Sequence, residues 1–166
     1  MRVAYVVCRM NADPALAESS PSSGGVDTAR HLARAGALLF VASLLNGFVI
    51  QEIRLPHLAR SAHLVGLFGA AFLFALAGLW PRLGFGLRGS RIAMALAIYG
   101  FVMGWLVYLT AAVTGSAGVF PVAGGGARGI PLVEAMMSAT LMTVAVALFA
   151  LSAMVWRAAR RTSVAS

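Results

Sequence analysis

The chain has 166 residues, 60% of them hydrophobic and 11% charged, with a mean hydropathy of +0.87. Soluble domains carry about 25% charged residues, so this is the composition of an integral membrane protein with no room for a separate soluble domain. The net charge of +8 comes from 13 arginines and no lysine; grouped at the ends of apolar stretches, they set orientation and meet lipid headgroups rather than nucleic acid.

Residues 1–28 read as a flexible N-terminal tail. Met1 to Cys8 is too short to cross a bilayer, and Glu18-Ser-Ser-Pro-Ser-Ser-Gly-Gly25 is a low-complexity piece. The apolar run Val3 to Val7 is too short for a secretory signal, and Met10 is a second candidate start. Cys8 is the one cysteine, which excludes an internal disulfide or a cysteine cluster.

Residues 29–158 are expected to form a four-helix transmembrane domain. The first span covers about 33–50 and contains Asn46, read as an interhelical hydrogen bond or as a substrate contact. Leu55-Pro56-His57 is a turn, because proline drives the residue before it out of helix. The second span is 61–80, stopped by Pro81, and a loop with Arg82, Arg88 and Arg91 follows. The third span, 92–112, carries Tyr99, Trp105, Tyr108 and a Gly100-xxx-Gly104 pair that suits close helix packing. Residues 115–129 form a Gly-rich loop without the Lys-Ser/Thr of a phosphate cradle. The fourth span is 131–156, with Glu134 one turn in, placed for an ion pair with Arg128 or for a buried site. Arg157, Arg160 and Arg161 close it, and residues 159–166 are a basic C-terminal tail. Each span meets the need for about 20 apolar residues. With four spans, ten arginines fall on the side of both termini and three on the other, which predicts cytoplasmic termini.

His63 is the candidate ligand. A histidine inside a membrane helix is unfavourable unless something pairs with it or uses it. Gly66, Leu67 and Ala70 lie three, four and seven residues on, on the same helix face. A coordinating nitrogen followed by a small-residue face suits a flat cofactor such as haem, and Gly100 could offer a second such surface. His31 and His57 fall at span edges. With one well-placed imidazole, the second axial position of a haem would be open, which suits substrate coordination better than electron shuttling.

Ser61-Ala-His63-Leu-Val-Gly66, Gly78-Leu-Trp-Pro-Arg-Leu83, Ala97-Ile-Tyr-Gly100 and Pro121-Val-Ala-Gly-Gly-Gly126, in this order, resemble the bacterial hydroxylaminobenzene mutases. More distantly the chain resembles styrene oxide isomerase, through the Ala-x-His region and Leu83-Gly84-Phe85. The resemblance covers residues 33–158. It implies a four-helix bundle, a homotrimer in the bacterial inner membrane, and ferric haem b at a subunit interface held by His63. The iron would be a Lewis acid toward the oxygen of a hydroxylamine or epoxide substrate. Gly66, Ala70, Gly100 and Trp105 would then lie against the haem, and Tyr99, Tyr108 and Asn46 would face the substrate. The chain departs from that pattern at Ala35-Gly36, Gly69 and Gly104, where relatives carry His-Gly, Asn and Asn. The expected activity is therefore a hydroxylamine mutase, with an altered substrate such as an O-acyl hydroxylamine, giving an N–N bond, as a variant. An epoxide isomerase is one alternative. A non-enzymatic haem-binding membrane protein or a small transporter is the other.

Overall fold

The computed structural model describes residues 23–162; the readings made for residues 1–22, including Cys8 and Met10, and for the end of the basic tail lie outside the described residues. Four long helices follow one another up and down: α1 (Ser23–Phe48), α2 (Pro56–Leu79), α3 (Leu87–Thr114) and α4 (Pro131–Thr162). All four are long and apolar enough to cross a membrane, and the chain is a multi-pass, all-helical membrane protein.

Local chemistry explains most of the boundaries. Pro56 and Pro131 each open a helix at the position where a missing N–H costs nothing. Pro81 ends α2 in a short 3-10 turn, Trp80–Arg82. α3 stops at Gly115, which takes a left-handed φ of 75° while its N–H returns to the Ala111 carbonyl. Arg54 donates from Nη1 to the Thr114 carbonyl at 3.0 Å, placing a cation on the negative end of that helix.

α1 differs from expectation. It starts at Ser23, inside the stretch read as a tail and ten residues before the expected span. The reason is tertiary. The buried Thr28 hydroxyl meets Ser90 Oγ on α3 at 3.0 Å, and Trp80 Nε1 donates to that same oxygen at 3.0 Å. Three elements are thus joined by hydroxyls at one end of the bundle, which holds residues that composition alone assigns to a linker. α4 likewise runs past the expected span, to Thr162. Its 32 residues make about 48 Å of helix against a hydrocarbon core of about 30 Å, so Arg157, Arg160 and Arg161 emerge from the apolar layer.

Helices α1, α2 and α3 pack mutually, while α4 packs along α3 and has no comparable contact with α1 among the described residues. The crossings are built on small residues. A Cβ on Gly36 would meet the Ala70 carbonyl and Leu73 Cβ at 3.3 Å, and one on Gly69 would meet Leu39 Cδ2 at 3.1 Å. Such positions bring backbones together where lipid gives no hydrophobic driving force. The core splits into two clusters, Leu32, Leu39, Leu73 and Trp80 toward the arginine-rich end, and Leu58, Val107, Ala111 and Met137 toward the other. The expected site residues lie chiefly between them.

Candidate active site

His63 sits two turns into α2 and is half-buried against α1. Its Nδ1 lies 2.6 Å from the backbone carbonyl of Ser43. A carbonyl only accepts, so in the neutral ring Nδ1 carries the proton and Nε2 keeps its lone pair. Nε2 has no hydrogen-bond partner among the described residues and is not sealed in the interior. Gly47 lies beside the ring.

Asn46, 5% exposed, donates from Nδ2 to the Ala59 carbonyl at 3.1 Å, one turn before His63. This is the interhelical bond expected of an intramembrane asparagine. Among the described residues its buried Oδ1 has no partner, nor does the buried Trp105 Nε1 on α3. The Trp105 ring reaches Gly66, where a Cβ would lie 2.7 Å from Trp105 Cδ1 and would also overlap Ser43 Oγ. His63, Gly66, Asn46 and Trp105 are thus gathered by the junction of α1, α2 and α3. The junction leaves one acceptor and one donor unsatisfied, and buried polar atoms of that kind are few in folded proteins.

The other expected residues go elsewhere. Tyr108 stacks on Phe120 of the 115–129 loop with ring centroids 4.3 Å apart. Together with Ser61, Leu64, Val65 and Phe68 of α2 it lines an apolar groove of about 530 Å³ beneath residues 119–123. Tyr99 turns toward α4, where its hydroxyl meets Thr143 Oγ1 at 2.6 Å. Gly100 also faces α4; a Cβ there would lie 2.5 Å from Leu148 Cδ2. Ala70 is fully buried beneath α1, its carbonyl against Gly36. Gly66, Ala70 and Gly100 are therefore helix-contact positions within the protomer, and their small faces are occupied by Ser43, α1 and Leu148.

Glu134 makes no ion pair with Arg128. Its Oε1 accepts the backbone N–H groups of Gly129 at 2.8 Å and Gly118 at 3.2 Å. One carboxylate thus closes both ends of the loop that roofs the groove. Sequence reasoning also missed Ser43 and Gly47. The available signal was a small-xxx-small pair in the first span opposite Gly66, but the partner of His63 is a backbone atom, which no residue letter reports.

No three His, Cys, Asp or Glu side chains converge among the described residues. A bare metal ion has no cage here. A group that brings its own equatorial ligands needs one donor, and His63 fits that need: a single imidazole whose other nitrogen is held by a carbonyl, as metal-binding histidines usually are.

Four apolar helices make the chain a small multi-pass membrane protein, and it belongs to the styrene oxide isomerase family, which it matches over residues 28–160. Among curated proteins it is 32% identical over 127 residues to hydroxylaminobenzene mutase HabB of Ectopseudomonas oleovorans, covering 76% of this chain and 77% of that one. It is 30% identical over 121 residues to hydroxylaminobenzene mutase HabA of the same organism, covering 72% and 90%. No solved structure matches the chain significantly.

Proposed function

We propose that the protein is a hydroxylamine mutase of the bacterial inner membrane, a homotrimer with both termini cytoplasmic, which rearranges an aryl hydroxylamine with the help of ferric haem b bound through His63. The observation that carries this reading is the half-buried His63 imidazole, whose Nδ1 is taken by the Ser43 carbonyl so that Nε2 is left as the donor atom, on a chain whose relatives HabA and HabB are both hydroxylaminobenzene mutases. When bound, the haem would supply a Lewis acid that draws electrons from a breaking N–O bond.

The chain's own residues do the rest. His63 Nε2 is the donor atom, and the Ser43 carbonyl holds the proton on Nδ1. The groove beneath the loop takes the aromatic ring, with Phe68, Tyr108, Phe120 and Pro121 as its apolar walls. Apolar walls of this kind favour the substrate over the water that would trap an electron-deficient intermediate. The Trp105 indole N–H is a buried donor with no partner among the described residues, a group that would stabilise negative charge brought beside it. An aryl hydroxylamine and the corresponding aminophenol have the same composition. Oxygen leaves nitrogen and reaches the ring, and a ring proton is lost as nitrogen gains one. No reductant or oxidant is consumed.

The test is product analysis of haem-reconstituted protein in detergent, without an electron donor, given hydroxylaminobenzene or styrene oxide in parallel. Conversion of hydroxylaminobenzene to an isomer of equal mass is expected. Turnover of styrene oxide alone would move the assignment to the epoxide reaction for which the family is named. Turnover of neither would overturn the reading.

A further inference from the structure

We propose that Gly47 and the backbone carbonyl of Ser43 are the positioning device for His63: α1 holds the imidazole in one orientation and one tautomer, with Nε2 presented as the donor atom. The proposal rests on the reading of His63 as the haem ligand.

Two glycines on opposing helices make the lock. Gly66 on α2 has no Cβ, and Ser43 Oγ fills that space while donating to the Leu39 carbonyl at 2.7 Å. This contact sets how closely α1 approaches α2. Gly47 on α1 has no Cβ either, and the His63 ring fills that space in turn. A Cβ at position 47 would lie 2.8 Å from both Cε1 and Nδ1 of the ring, closer than carbon atoms approach without displacement. The ring therefore cannot keep its place if residue 47 is anything larger than glycine. Its Nδ1 is then close enough to bond the Ser43 carbonyl, one turn earlier on the same helix. That carbonyl has two lone pairs, so it can receive the imidazole N–H alongside its ordinary helical partner. Donation from Nδ1 fixes the tautomer and increases the basicity of Nε2, the role that outer partners play at metal-bound histidines. The Ser43 side chain takes no part in the bond to His63; its main chain does.

The experiment uses full-length, haem-free protein labelled with nitrogen-15 at histidine and held in lipid nanodiscs. The His63 signals are assigned by comparison with His63→Gln, which leaves His31 and His57 in place. Nitrogen shifts distinguish a protonated from a bare ring nitrogen without any cofactor. Wild-type protein is expected to show a protonated Nδ1 and a bare Nε2. Gly47→Ala is expected to lose this tautomer, and after reconstitution to release haem roughly 10- to 100-fold faster, the usual range for loss of an outer partner. A wild-type ring protonated on Nε2 overturns the proposal, whether or not the variants fold. So does a folded Gly47→Ala protein with wild-type tautomer and wild-type haem retention. A protonated Nδ1 in a chain that takes up no haem upholds the lock and overturns the haem reading instead.

Discussion

At the scale of the residue, glycine carries as much of this design as histidine does. Gly66 and Gly78 lie on the same helix and look alike in sequence, yet their surroundings are opposite. A Cβ on Gly66 would overlap Ser43 Oγ and crowd the Trp105 ring, whereas Gly78 has nothing within 4 Å. Gly66→Ala is expected to cost about 1–3 kcal/mol by forcing α1 and Trp105 away. Gly78→Ala is expected to be neutral or to stabilise by up to about 1 kcal/mol through helix propensity. Thermal unfolding of the two variants in one detergent separates them; equal losses would contradict the packing described here. The departures from the relatives' pattern divide in the same way. At position 69 a Cβ would lie 3.1 Å from Leu39 Cδ2 and 3.3 Å from Phe101 Cβ, so those neighbours would have to give by a few tenths of an ångström, while at position 104 it would sit in ordinary contact, 3.7 Å from Val144 Cγ1. His63 itself was legible as an intramembrane imidazole, because charge and hydropathy isolate it. Its orientation was not, because the groups that decide it are a carbonyl and an absent Cβ.

At the scale of the element, the loop over 115–129 is held by hydrogen bonds that its glycine content conceals. Gly115 turns out of α3 under Arg54, and Glu134 gathers Gly118 and Gly129 onto the start of α4. The loop in turn places Phe120 on Tyr108 and roofs the groove. Hydrogen bonds to an ionised group are worth about 1.5–3 kcal/mol, and each 1.4 kcal/mol is tenfold in population. Glu134→Ala, which removes both bonds, is therefore expected to raise the rate of tryptic cutting at Arg128 by at least about tenfold, with Glu134→Gln in between. An unchanged cutting rate would show that the carboxylate does not hold the loop. The four spans were legible here because each is an apolar run bounded by proline, glycine or arginine. Helix faces were less so. A tyrosine in a membrane helix can point at any neighbour, and only packing shows Tyr108 on the groove and Tyr99 on Thr143. The start of α1 was hidden for a related reason: Thr28 is held by Ser90, a partner 62 residues away.

At the scale of the whole molecule, the fold collects charge that the chain scatters. Arg30, Arg34, Arg82, Arg88, Arg91, Arg157, Arg160 and Arg161 all fall at one end of the bundle, and Arg54, Arg60 and Arg128 at the other. Positively charged ends stay in the cytoplasm. In a Cys8→Ser background, a Val122→Cys thiol at the 94% exposed tip of the loop is expected to react with an impermeant maleimide in intact cells. An Arg161→Cys thiol, at an exposed position near the end of α4, should react only after lysis, and the reverse pattern would invert the topology. Assembly belongs to this scale too. Among the described residues α4 packs chiefly on α3 and turns Met142, Val146 and Phe149 outward; the proposed homotrimer predicts three chains together in native mass spectrometry, and a single chain would contradict it.

Haem held by His63 through Nε2 is the proposal on which the assigned activity rests. It is tested most directly by the absorption spectrum of haem-supplied wild-type protein beside His63→Ala, each checked for folding by helical circular dichroism. The expected result is a Soret band in the wild type, its loss in the variant, and loss of hydroxylaminobenzene conversion with it. A folded His63→Ala protein that keeps the band and the conversion, or a wild type that takes up no haem, would contradict the claim.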